Sequence, residues 1–157
     1  MHDAEAPEEI ARWTRRFAIE CNNRAWRLAE AARRTPGEDD EMLHCAHAAM
    51  LHWGKVGTGL HKARATMLLA HVHALLGQGP SAMRHAGLAF AYVMSHESPA
   101  WEVAFAHAVL ANAACAAGDR ELHAKHHGLA QALGQALPDA EERSIFDATF
   151  RVIPAPA

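Results

Sequence analysis

Displacing the chain by 41 residues superimposes Gly77 on Gly118, Leu69 on Leu110 and Ala70 on Ala111. The same displacement carries Gly87-Leu88-Ala89 onto Gly128-Leu129-Ala130, while His44, His85 and His126 recur at that interval with Ala48, Ala89 and Ala130. A period of this size corresponds to one helical hairpin. Two helices alone cannot bury both of their faces, so the units must stack on one another to complete a core. Composition agrees: 36 of 157 residues are alanine, the residue most favourable to helix, and no alternating strand-like run occurs.

Turn chemistry divides the chain into seven helices. The first runs from about Pro7 to Arg34, with Ile10, Trp13, Phe17, Cys21, Leu28 and Ala32 forming an amphipathic stripe. Thr35-Pro36-Gly37-Glu38 reads as a capping box with proline at the first helical position. Gly54, Gly57 and Gly59 end the second helix near Trp53, and the third runs to Leu76. Gly77 to Pro80 turns into the fourth helix, which ends near Ser95. Ser98-Pro99 starts the fifth, Gly118-Asp119 separates it from the sixth, and Pro138 to Glu142 starts the seventh. The expected fold is all-α, a single domain over 1–157, with hairpins at about 7–53, 58–95 and 99–136 and a capping helix at about 139–151. The terminal IPAPA is expected to fray.

The segment His71 to Phe90, HVHALLGQGPSAMRHAGLAF, resembles a tetratricopeptide repeat through Ala70, Gly77, Ala82, Ala86 and Ala89. His73 stands where that pattern usually has an aromatic residue. The third unit matches at Ala111, Gly118 and Ala130 but carries His123 where a small residue is usual, and the first matches best at Ala48. The similarity extends over roughly Glu20 to Leu137, in units longer than the usual repeat. It implies a right-handed stack of about three antiparallel hairpins, with the first helix of each lining a concave groove. Family likeness of this kind specifies fold more than function.

On that implied inner face, the third helix presents His61, Arg64, Leu68 and His71 within one arc. The fifth presents Glu102, Phe105 and Asn112, and the first presents Glu20, Asn23, Trp26 and Glu30. Asn23, Trp26, His61, Arg64, His71, Glu102, Phe105 and Asn112 therefore form the candidate groove. Aromatic area with a few orienting polar groups suits a peptide or protein segment as partner. The expected function is an interaction module without an assembled catalytic motif or resident cofactor.

Thirteen histidines raise the alternative of a divalent transition-metal or small-ligand site, with a metal-dependent enzyme left open. His44, His47 and His52 fall in HCAHAAMLHW, and His61, His71 or His73 of the next helix could join them. His123 and His127 form an i,i+4 pair, but HExxH is absent. The recurring His44, His85 and His126 read instead as packing residues, each with one ring nitrogen on a carbonyl or water. Gly54 to Arg64 lacks the phosphate-loop spacing, and adjacent Ser95, His96 and Glu97 cannot converge as a nucleophilic triad. The paired lysine–asparagine pattern of carboxylate clamps is missing too.

A net charge of −3 gives no general attraction to nucleic acid or to an anionic membrane. Acidic MHDAEAPEEI lacks the order of a signal peptide. Ala100 to Gly118 is apolar but interrupted by Glu102, His107 and Asn112, which marks a core helix rather than a membrane span. Three widely spaced cysteines, Cys21, Cys45 and Cys115, fit buried reduced thiols in a cytoplasmic protein, with a homo-oligomer as an open possibility.

Overall fold

Helix starts follow from local chemistry. Thr35 Oγ1 accepts from Glu38 N (3.2 Å) while Glu38 Oε2 accepts from Thr35 N (2.8 Å), so two otherwise unpaired donors are satisfied reciprocally. Asp119 and Asp139 cap their helices through Leu122 N and Glu142 N. The computed structural model describes residues 6–157 and contains seven helices and no strand among them. They are α1 (Pro7–Ala29), α2 (Pro36–Val56), α3 (Gly59–Leu75), α4 (Gly79–Ser95), α5 (Ala100–Ala117), α6 (Arg120–Gln135) and α7 (Ala140–Phe150). Residues 1–5, half of the acidic start, lie outside the described residues.

Each helix packs on the next, and the odd-numbered helices also meet in the order α1, α3, α5, α7. As the middle members of that row, α3 and α5 are buried on nearly every side, from Ala63 to Ala74 and from Ala104 to Ala114 with few exceptions. Alanine makes this possible, because short side chains let neighbouring backbones approach closely. Larger residues fill what remains: Met67, Val93, Val109, Leu110, Leu137 and Phe146 in one cluster, and Leu28, Met42, Leu68, Leu69 and Val72 in another. By length and composition α5 could cross a membrane, yet 61% of Ala100–Ala117 is buried inside the protein. It is the central core helix.

The 41-residue spacing has a direct physical counterpart in the turns. Gly77 and Gly118 are the two glycines with positive φ, 71° and 79°. Gln78 N bonds His73 O (2.9 Å) and Asp119 N bonds Ala114 O (2.9 Å), so the same six-residue closure ends both helices. Only a residue without Cβ enters that conformation without strain.

Several boundaries differ from expectation. Helix α1 ends at Ala29 rather than near Arg34, because the Arg34 guanidinium turns back to Leu28 O (3.3 Å) and Ala31 O (3.4 Å) and pairs with Asp39 (2.6 Å). Conversely, α2 continues through Gly54 to Val56; one interior glycine costs a helix only about 1 kcal/mol, and Trp53 is anchored in the core. The tail does not fray. Ile153 is buried, and His123 Nε2–H donates to Pro154 O (2.8 Å). The early part of the α1 stripe is not core, since Ile10, Trp13 and Phe17 are 50%, 42% and 49% exposed. Finally, the cysteines are half-buried, and Cys21 and Cys45 face each other across α1 and α2 despite their separation in sequence.

Candidate functional site

One helical turn sets up the first element of the site. Thr58 caps α3, and the His61 ring reaches back so that Nδ1 accepts from Thr58 N (3.1 Å). Nδ1 is thereby held as an acceptor, which leaves the proton of the neutral ring on Nε2. The same ring stacks on Trp53 at the end of α2, with centroids 4.3 Å apart and planes 10° from parallel. One turn further along α3, Arg64 Nε donates to Glu102 Oε1 at 2.6 Å. Glu102 lies in the first turn of α5, where unpaired backbone N–H groups favour a carboxylate. It is 2% exposed, whereas the Arg64 side chain is 42% exposed. The guanidinium also lies over Trp101, 5.1 Å from the ring centroid.

These groups surround a cavity of about 500 Å³, within the size range of ligand pockets. Its walls come from five helices: Asn22, Trp26 and Glu30 of α1; Trp53 of α2; His61, Arg64 and Met67 of α3; Trp101, Glu102 and Phe105 of α5; Glu142, Ile145 and Thr149 of α7. Trp26 presents its edge to Phe105 (6.1 Å, 83°), which in turn meets Phe146 (5.5 Å, 89°). Burial holds the Glu30 carboxyl above the ordinary range, an effect partly offset by Arg151.

Beneath Trp26 lies a polar layer. His71 stacks on the indole at 5.7 Å, and Asn112 Nδ2 donates to His71 Nδ1 at 3.0 Å. The two partners are 41 residues apart, one repeat unit, so equivalent positions on α3 and α5 meet directly. His71 is fully buried and its Nε2 has no partner among the described residues. Burial, reinforced by the positive charge of Arg34, pushes its pKa down to about 4, so the ring is neutral.

Among the residues expected on the groove, Trp26, His61, Arg64, Glu102 and Phe105 line the cavity together. His71 and Asn112 support it from below rather than facing it. Asn23 is exposed, and its neighbour Asn22 takes the place in the wall, a displacement of one residue and about 100° around α1. The sequence reading missed Trp53, Trp101 and all of α7. Trp53 adjoins Gly54, which in sequence marks a helix end rather than a wall. Trp101 adjoins Glu102, but only the Arg64 position reveals its use.

The second-helix histidines do not converge. His52 lies beside Phe17 at 6.2 Å, whereas His47 meets the edge of His73 at 5.6 Å, and His44 is exposed. Among the described residues, no three His, Cys, Asp or Glu side chains are placed to hold a metal ion together. His73 stacks instead on His85 at 5.4 Å. The recurring histidines have three different environments: His44 is at the surface, His85 Nδ1 donates to Ser81 O (2.8 Å), and His126 Nδ1 shares a proton with His107 Nδ1 (2.8 Å). Burial lowers the pKa of His107 and His126, as do their charged neighbours. In the i,i+4 pair, His123 is engaged with Pro154, and His127 lies against Phe150 at 4.6 Å.

Comparison with protein-family models, with curated proteins and with solved structures finds no match to this chain.

Proposed function

We propose that this chain is a tetratricopeptide-like stack of helical hairpins that binds a segment of a partner protein, with one or two partner side chains seated in the cavity. The observation that carries this reading is the wall itself, where Trp26, Trp53, Trp101 and Phe105 surround the Arg64–Glu102 pair. Apolar area drives association without selecting an orientation. A few fixed polar groups then select among apolar guests, because a poorly matched one leaves them unpaired. Support for a macromolecular guest comes from the open setting of Arg64, which a side chain entering from outside can reach. A volume of about 500 Å³ admits side chains rather than a folded domain.

Display of a random peptide library tests this reading. Sequences retained by the unsubstituted protein are expected to lose at least tenfold in affinity with Trp26→Ala or Arg64→Ala, while helical circular dichroism stays unchanged. Equal retention by all three proteins would remove the cavity from the binding event.

A further inference from the structure

Charge around the cavity is unbalanced. Glu30, Glu102 and Glu142 bring three carboxylates from three helices, against Arg64 as the one permanent cation in the described wall. Arg64 gives its Nε to Glu102 Oε1 at 2.6 Å and lays its guanidinium over Trp101, so one of the three carboxylates is matched and two are not. His61 adds no charge while its Nδ1 serves as acceptor for Thr58 N. Neither Glu30 nor Glu142 has a salt bridge among the described residues, although the charge of Arg151 acts on Glu30 from nearby.

The buried carboxylate gives the direction. Glu102 is 2% exposed and uses Oε1 for Arg64, yet Oε2 receives no hydrogen bond from the described residues. Oε2 is also not among the sealed polar atoms left without a partner, which are His52 Nδ1 and His71 Nε2. Glu102 lines the cavity, so this second oxygen is the one left for a guest. A carboxylate oxygen can only accept, so its complement is an N–H or O–H donor, strongest when charged. Tryptophan faces select in the same sense because their π-clouds attract cations, as the position of Arg64 over Trp101 already illustrates. An anionic guest would instead add to a wall in which carboxylates outnumber permanent cations.

We propose that the group seated in this cavity is a protonated amine on an apolar stem, as on a lysine side chain, with its ammonium on Glu102 Oε2 and its methylenes against Trp26 and Phe105. Glu30 and Glu142 supply attraction at the rim. This assignment rests on the cavity being the binding site and names the chemistry of its guest.

The experiment uses pools of short blocked peptides with randomised flanks and a central residue fixed as lysine, leucine or glutamate, with n-butylammonium as the free-amine probe. Tryptophan fluorescence and pool retention are the readouts. The lysine pool is expected to be retained about tenfold better than either other pool, a preference that added salt weakens. Glu102→Gln should remove that preference, and Glu142→Gln, at the rim, should reduce it a few-fold. The Glu142 variant and the comparison among pools on the unsubstituted protein remain decisive if Glu102→Gln does not fold.

Equal retention of the leucine and lysine pools, both lost in Trp26→Ala, would overturn the cationic guest and leave peptide binding in the cavity standing. Saturable fluorescence quenching by n-butylammonium with no pool retained would uphold the amine site and overturn the peptide partner. Silence toward every probe would overturn both.

Discussion

His71 occupies a position that few side chains tolerate. It is fully buried, and among the described residues the single hydrogen bond to its ring comes from Asn112, one repeat unit away. Its pKa of about 4 in the folded chain lies below the ordinary 6.5, so the unfolded state binds the proton more readily. Stability from this residue is complete above pH 6.5 and falls as pH drops toward 4, by about 3 kcal/mol on the order-of-magnitude scale of one pKa unit per 1.36 kcal/mol. Melting temperatures should therefore decline steeply over that interval, with His107 and His126 adding to the loss because burial lowers their pKa as well. A His71→Leu/Asn112→Leu double variant, which removes both polar partners, should flatten the profile; an unchanged slope would assign the acid sensitivity elsewhere. Helical pitch made five of the cavity residues legible from sequence, because His61, Arg64, Glu102 and Phe105 fall on regular arcs and Trp26 shares their register. It could not distinguish Asn22 from Asn23, since adjacent residues differ by 100° and the rotation of α1 is set by packing on α2 and α3.

At the level of the helices, termini depended on interactions that no local pattern encodes. The capping boxes and the Gly77 and Gly118 turns involve residues three to five apart and could be anticipated. The end of α1 could not, because it depends on where the Arg34 guanidinium folds back. Nor could the order of the tail, which depends on His123 lying a long way back in the chain. Gly118→Ala places a Cβ in the left-handed region at φ 79° with open space around it, so the cost is conformational rather than steric. It should destabilise the protein by about 1–2 kcal/mol in denaturant titration without altering the slope. A neutral result would mean that the turn relaxes to another conformation.

Over the molecule as a whole, the repeat period forecast a row of helices better than it forecast how that row ends. A displacement of 41 residues relates α3 to α5 and their turns to one another. The last helix follows α5 at nearly the same spacing, with Phe146 41 residues after Phe105, but the short match left it as no more than a cap on the open end. Yet α7 packs on α5 and α6 and contributes Glu142, Ile145 and Thr149 to the cavity. Phe146 seals the same helix into the core, 1% exposed and stacked on Phe150. Phe146→Ala should cost about 3–5 kcal/mol and weaken any guest of the cavity together with the fold. Measured below its own melting temperature, such a variant should show tryptophan emission shifted to the red as the cavity indoles meet water; emission identical to the parent would detach α7 from the site.

The cavity is walled by α1 and α7, helices separated by most of the described chain. Its shape therefore hangs on the joint between them: a protease that cut the link at Leu137 to Asp139 and freed α7 would strip one wall away, and the hollow would open into a shallow trough.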